Sequence, residues 1–287
     1  MLNLAVIYGG ESCERDISVI TAVQIMGMID RRKYNVLPIM LLDNNKMVMP
    51  DSADRISSYI GGKNSGREVY IRGNKLMNAG GIRRTVAYID CALLCVHGGM
   101  GEGGSLQGML DMNGIPYTSP SVEASAVCMN KAISKGIFSA LGASVLPCVL
   151  LDKSNKSDYN SCADKLGFPL IVKPARQGSS IGINVAKNTE ELKDAVDTAF
   201  EYDSEVIVEK ALTDYKEINC ACVYSCGEVL ASTLERPLSW HDFLTFEDKY
   251  MSDGKIIAGD REFPAVLAPQ TAAAIRDCAV KLYKGLD

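Results

Sequence analysis

Histidine and tryptophan are almost absent from this chain: His97 and His241 are its two histidines, and it has a single tryptophan. A zinc centre draws on cysteine and histidine ligands at short fixed spacings. The cluster Cys220, Cys222 and Cys226 has no second ligand pair at such a spacing, and neither histidine lies near it in sequence. Cys220 and Cys222 fall instead on one face of a predicted strand, Glu217–Tyr224, where cysteine serves as a small core residue. No apolar run approaches the roughly 20 residues that a membrane-spanning helix needs. The apolar run Leu4–Tyr8 is too short for a secretory signal and is followed at once by glycines and acids. With no signal, the ten cysteines read as reduced thiols of a cytoplasmic enzyme. No basic block or RNA-type aromatic motif occurs, and the formal net charge is -5 with a pI near 5.3, which argues against a nucleic-acid partner. The GxxxxGK[ST] loop, in which a lysine follows the glycines, is missing as well.

What is present is a different phosphate-handling pattern, Lys173-Pro-Ala-Arg-Gln-Gly-Ser-Ser-Ile-Gly182. It follows the apolar run Phe168–Val172, which reads as a buried strand ending at Lys173. Gly178 lets backbone N–H groups turn toward an anion, and the hydroxyls of Ser179 and Ser180 add donors. A lysine fixed beside such a loop supplies a full charge to a phosphate. Taken alone, a glycine–serine stretch is equally a polar turn between strands; the lysine and the flanking strands set this one apart.

At 287 residues the length corresponds to about two domains, and a chain of this size buries roughly 75% of its unfolded surface. The first part alternates strand and helix: strand Leu2–Tyr8, helix Ile17–Ile29, strand Asn35–Leu42, strand Cys91–Val96 and helix Ser105–Met112. That order predicts an open parallel sheet with ligands collecting at the carboxyl ends of its strands. Lys63–Gly81 is polar and glycine-bearing, a loop or hairpin. Beyond Pro120 come a helical stretch in two pieces, Ser121–Leu141, and a strand, Val145–Leu151. Two strands joined by the phosphate loop follow, Leu166–Val185, then a helix, Glu190–Phe200. Three strand-like segments, Glu205–Glu209, Glu217–Tyr224 and Glu228–Glu235, precede a final helix, Gln270–Tyr283.

Several segments now combine. They are Gly9-Gly-Glu-Ser-Cys-Glu14-Arg-Asp-Ile-Ser18, His97-Gly-Gly-Met-Gly-Glu102-Gly-Gly-Ser-Leu-Gln107-Gly108 and Ile115-Pro-Tyr-Thr. Met129-Asn-Lys131 follows, with Lys135 one turn on; after the phosphate loop come Glu209-Lys-Ala-Leu212, Glu217 and Phe246-Glu-Asp-Lys249-Tyr250. In this order the chain resembles the D-alanine–D-alanine ligase family of the ATP-grasp superfamily over essentially its whole length. The resemblance implies an α/β, open parallel-sheet N-terminal domain, residues 1–120. It is followed by an α+β ATP-grasp fold, with a central lobe at 121–208 and a partial C-terminal lobe carrying a lid at 209–287. It also implies a two-step reaction for peptidoglycan precursor synthesis. The carboxylate of one D-alanine takes the γ-phosphate of ATP, and the amine of a second D-alanine then displaces that phosphate. Magnesium is the implied cofactor, and family members are often homodimers.

The family's site residues carry over position by position. Lys131 and Lys173 match the lysines that hold ATP phosphates, where ammonium groups answer charge spread over several oxygens. Lys131 is otherwise an ordinary exposed helix lysine; its Met-Asn-Lys context favours the first role, although the family commonly has Asp where this chain has Asn130. Gly178, Ser179 and Ser180 form the phosphate loop, and Lys249 lies on a mobile segment over the γ-phosphate. Glu209 and Leu212 match the segment whose backbone reads adenine. Glu217 matches the acid on the ribose hydroxyls, with a spacing about one residue longer than the family's; a strand-end surface acid is its other reading. Glu14 matches the acid that receives the first D-alanine's ammonium, or is a solvated cap of the following helix. Ser179 and Tyr250 are its partners, expected to meet Glu14 around one bound amino acid beside His97. His241 has no comparable context.

Two departures accompany the match. Gly103 stands where the family usually has Asp. The sequence stops at Lys284-Gly-Leu-Asp287, directly after a helix, where the family continues into strands carrying an arginine and the Asp, Glu and Asn ligands of magnesium. No metal ligand is therefore assigned in this chain, and the expectation is that it makes little or no dipeptide alone. A catalytically impaired ATP-binding relative and an ATP-grasp ligase with another second substrate, D-serine or D-lactate, are the alternative readings.

Overall fold

The computed structural model describes residues 1–53, 66–81, 84–154, 158–238 and 261–286. The chain divides into two compact units, Met1–Ala126 and Val127–Asp287.

The first unit is built on an eight-stranded sheet. Its strands are β1 (Leu2–Gly9), β2 (Tyr34–Leu41), β3 (Met47–Pro50), β4 (Gly66–Arg72), β5 (Lys75–Asn78), β6 (Thr85–Tyr88), β7 (Cys91–Leu94) and β8 (Tyr117–Thr118), in the order β6-β5-β4-β3-β2-β1-β7-β8. The half containing β2, β1, β7 and β8 is parallel. β1 is apolar at successive positions because both of its faces are covered. Ala5 and Ile7 pack with α3 (Ser105–Met112) through Leu106 and Leu110. Val6 and Tyr8 pack with α1 (Arg15–Met28) through Val19, Ala22 and Met26. The other half, β3 to β6, is a run of antiparallel neighbours. The polar stretch expected as a loop or hairpin is a hairpin, β4–β5, and it extends this same sheet. A short helix, α2 (Gly99–Glu102), precedes α3, and the boundary between the units falls inside α4 (Val122–Met129).

In the second unit, β9 (Cys148–Asp152), β10 (Leu170–Pro174), β11 (Asn184–Ala186) and β12 (Glu205–Lys210) form an antiparallel sheet in the order β11-β10-β12-β9. Alternation along these strands sorts their side chains onto two faces. Leu151, Leu170, Val172, Ala186, Val206 and Val208 bury one face against α7 (Thr189–Tyr202) and α6 (Tyr159–Leu166). Ile171, Lys173 and Glu209 stand on the opposite face, with Cys148 directly across from Glu209. α5 (Lys131–Ala140) begins at an N-cap, Asn130, whose side-chain oxygen accepts from Ala132 N and Ile133 N. Beyond β12 lie two small antiparallel pairs, β13 (Cys222–Ser225) with β14 (Glu228–Ala231) and β15 (Arg236–Pro237) with β16 (Arg261–Glu262), and the last helix, α8 (Pro269–Leu286).

Two sequence expectations need correcting here. α6 was not anticipated: Asn160, Ser161, Asp164 and Lys165 leave it only a narrow apolar stripe, of which Cys162 is fully buried. The strand expected from Glu217 starts only at Cys222, so Cys220 precedes it. Both thiols are half-buried rather than core, because two strands alone cannot enclose a face.

Among the described residues no disulfide joins the ten cysteines. Cys13, Cys128, Cys148 and Cys226 are exposed, whereas Cys95 and Cys162 are buried. Burial pushes the Cys95 thiol up to about 11, so at neutral pH it is both protonated and shielded. Alkylation of the native protein, mapped by mass spectrometry, is expected to modify the four exposed thiols. Cys95 and Cys162 should react only after denaturation.

Candidate active site

Each unit brings part of the sequence-derived site together. In the first, the elements meet at the carboxyl ends of β1 and β7. Gly9 closes β1 at φ +83°, and a Cβ there would sit 2.6 Å from the carbonyl of Leu41, so only glycine fits. Its N–H donates to Ser18 Oγ over 2.7 Å, and Ser18 Oγ donates to the Cys95 carbonyl over 2.6 Å. One hydroxyl thus ties the first turn of α1 to both strands. Ser12 does the same for the loop: its Oγ donates to the His97 carbonyl at 2.7 Å and accepts from Glu14 N at 3.1 Å.

Glu14 is the N-cap position of α1 and is 6% exposed. Its side chain makes no cap hydrogen bond, which separates it from the solvated-cap reading. Its carboxylate lies against Gly98, where a Cβ would come 2.5 Å from Oε2, so the glycine at 98 keeps the space the acid occupies. The His97 ring is held by Thr21, Nε2 to Oγ1 at 3.1 Å. Glu14 therefore stands against the Gly98 backbone, next in sequence to His97, near the positive end of α1, where a carboxylate is favoured.

In the second unit the organising group is the Glu209 carboxylate, 4% exposed. Lys173 Nζ reaches its Oε2 at 2.7 Å, and Lys135 Nζ pairs with its Oε1. Burial pushes the Glu209 carboxyl up, but the two ammonium groups outweigh it and hold the carboxyl below its ordinary range. Ile171 lies opposite Glu209 and Lys173 opposite Ile207, so Lys173 and Glu209 are diagonal neighbours on one sheet face. The neighbouring Lys210 points elsewhere: its ammonium donates to the carbonyls of Phe168 and, at 3.1 Å, Gly167, just past the end of α6.

The phosphate loop leaves β10 at Pro174. Ser179 (φ +45°), Ser180 (φ +61°) and Gly182 (φ +69°) all have left-handed backbones. At 182 a side chain would strike the ring of Tyr202 at 2.7 Å and Pro174 at 2.8 Å. Lys131 N donates to the Ala175 carbonyl at 2.9 Å, and Lys131 Nζ donates to the Gln177 carbonyl, so the helix lysine meets the loop. A cleft of about 630 Å³ opens beside these groups, lined by Lys173, Ser180, Glu209, Lys210, Leu212 and Glu217 among others. Leu212 is half-exposed and Glu217 exposed. Its floor is the sheet face opposite α6 and α7, and Lys173, Lys187 and Lys210 all line it. Such a cleft can take an anionic, partly apolar ligand.

Lys249, Tyr250 and His241 lie outside the described residues. Four residues of the second unit were assigned no role from sequence: Lys135, Arg176, Asp203 and Glu205. Lys135 had a readable signal, the helical i,i+4 spacing from Lys131 that puts both on one face. The others contact partners far along the chain and leave no local pattern. Among the described residues no group of three or more His, Cys, Asp or Glu side chains is placed to hold a metal ion, so no residue is assigned to magnesium. Nor, among those residues, is any helix long and apolar enough to cross a membrane.

Residues 3–120 match the family model for the D-ala D-ala ligase N-terminus, and residues 137–287 match that for the D-ala D-ala ligase C-terminus. The chain belongs to the D-alanine–D-alanine ligase family. The D-alanine–D-alanine ligase of Thermosipho africanus is 32% identical over 295 residues, covering 100% of this chain and 79% of the relative. The solved VanG D-Ala:D-Ser ligase of Enterococcus faecalis superposes with a TM-score of 0.82 at 25% identity, covering 99% of this chain and 82% of that one. The Bacillus anthracis D-alanine–D-alanine ligase complexed with ATP gives 0.67 at 26% identity, covering 100% and 77%. Both the α/β first unit and the antiparallel sheet of the second thus belong to this ligase fold.

Glu209 also yields a pH dependence for this ligase chain. Its carboxyl is depressed in the folded protein, so the stability it contributes is fully present above the unfolded carboxyl pKa. That stability is lost as pH falls through the lower, folded value. Glu209→Gln should therefore destabilise the protein at neutral pH, with the gap to wild type closing only below the ordinary carboxylate range. Urea unfolding followed by circular dichroism at neutral and acid pH would show it; a gap independent of pH would refute the ion-pair role.

Proposed function

We propose that this chain binds ATP in the cleft of its second unit and serves an ATP-dependent ligase that joins two D-alanines for peptidoglycan precursors in the cytoplasm. The observation that carries the nucleotide reading is that Lys173 and Ser180 line one cleft with Ile171, Glu209, Leu212 and Glu217, while the ammonium of Lys131 is bonded to the same loop at the Gln177 carbonyl. Phosphates take the end at Lys173 and the Gly178–Ser180 loop. Adenine lies along Ile171 and Leu212 with its edge read by the backbone of 209–212, and Glu217 accepts from the ribose hydroxyls. The divisions at residues 120 and 208 are part of this reading; the second falls inside β12, the strand that carries Glu209, and the small strand pairs with α8 follow it.

A carboxylate has no usable leaving group, so it must first be activated. A carboxylate oxygen of the first D-alanine attacks the γ-phosphorus, the bond to the bridging oxygen breaks, and ADP leaves. The amine of the second D-alanine then attacks the acyl carbon, loses a proton, and inorganic phosphate departs as the peptide bond forms. The chain's own part is placement and charge compensation. Lys131, Lys173 and Lys249 face developing phosphate charge, and the N–H groups and hydroxyls of Ser179 and Ser180 donate to phosphate oxygens. Glu14, in the first unit, takes the ammonium of the first D-alanine; Ser179 and Tyr250 are the partners that the family resemblance gives it. Magnesium is the metal such a reaction uses.

Lys173→Ala should weaken ATP binding by about 1.5–3 kcal/mol, the worth of a charge-assisted contact. Calorimetric titration of both proteins checks it, and equal affinities would refute the site. D-alanine-dependent phosphate release, with D-serine as competitor, tests the substrates.

A further inference from the structure

The lysine of α5 and the phosphate loop come from segments more than forty residues apart, yet one carboxylate oxygen joins them. Asn130 is 3% exposed. Its Oδ1 is committed to Ala132 N at 3.0 Å and Ile133 N at 3.2 Å, which leaves its Nδ2 to donate outward, and it does so to Glu205 Oε2 at 3.2 Å. The same Oε2 accepts from Arg176 NH2, and Arg176 belongs to the loop. Arg176 is fixed further by Asp203: its NH1 reaches Oδ1 at 2.8 Å and its backbone N–H donates to Oδ2 at 2.7 Å. Gln177, next along, donates its side-chain amide to the Tyr202 carbonyl at 3.0 Å. The turn from α7 into β12 thus grips the loop from below, and Glu205 carries that grip across to the cap of α5.

Building on the nucleotide reading above, we propose that Glu205 is a positioning residue for ATP phosphates. Its oxygen sets the spacing between the helix end that presents Lys131 and the loop that presents Ser179 and Ser180. Three features support a positioning role over mere packing. The carboxylate sits where two anion-binding elements meet. It is partly exposed, at 31%, so its charge is not needed to fill a core. Both donors on Oε2 are held by other bonds, so the oxygen reads their separation. Ser179 and Ser180 keep left-handed backbones, which non-glycine residues hold only when their surroundings support them, so loosening the tether lets the loop relax away from its anion-binding shape.

The role predicts a selective defect. A glutamine at 205 offers one neutral acceptor and turns an N–H₂ group toward donors. Glu205→Gln should weaken ATP binding about tenfold, in line with loss of one charge-assisted contact, while leaving adenosine binding unchanged, since the adenine and ribose groups lie at the other end of β12 and beyond it, from Glu209 to Glu217. Arg176→Gln, at a more exposed position, should give the same selective loss from the other side of the joint. Both are read by calorimetric titration of the whole chain with ATP and with adenosine. Parallel weakening of the two ligands would make Glu205 structural only and overturn the inference, as would unchanged ATP affinity in both variants. Failure of the wild-type protein to bind ATP would instead overturn the nucleotide reading, and this inference with it.

Discussion

A buried carboxylate shared between two lysines is the interaction on which the second unit depends. An unpaired carboxylate at the depth of Glu209 would cost several kcal/mol. Here each oxygen has its own ammonium, one from α5 and one from β10, while the acid itself belongs to β12. Three elements distant in sequence are held in one geometry by that arrangement. The cleft-side face of the sheet thereby carries charged groups where the opposite face packs apolar side chains against α6 and α7.

Much of this was legible before any coordinates. Leu2–Tyr8 reads as a buried strand because a continuous apolar run marks a strand covered on both sides; Phe168–Val172 reads the same way, but β10 buries only alternate residues, its other face being the cleft floor. Ser105–Met112 is a helix with the bounds its apolar spacing predicts. Two kinds of feature stayed hidden. Short strands such as β3 and β6 owe their existence to a neighbour's unpaired edge rather than to their own pattern. Ionic contacts such as Arg176 to Asp203 and Glu205 link residues 27 and 29 positions apart and impose no periodicity on either. Lys135 lies between these cases: its spacing from Lys131 was visible, but its partner was not.

The first unit solves a related problem with hydroxyls instead of charges. Ser18 and Ser12 each bridge α1 or its entry loop to the ends of neighbouring strands. Glycine at 9 and 98 removes side chains where backbone or carboxylate must pass. Both devices shape a strand-end pocket, the usual ligand position in such sheets. Both also depend on residues that carry no charge and little apolar area, which is why the sequence motif around Glu14 and His97 is rich in Gly and Ser.

The Lys135–Glu209–Lys173 arrangement also bears on how fast a ligand arrives. Seen from a distance, two ammonium groups sharing one carboxylate amount to a single net charge, and that charge sits on a chain whose formal net charge is -5. Little attractive field extends past the roughly 8 Å Debye length at physiological salt. An anion therefore reaches the cleft by ordinary diffusion and is retained only once it touches the lysines and the loop. Its association rate should accordingly be modest and only weakly sensitive to ionic strength.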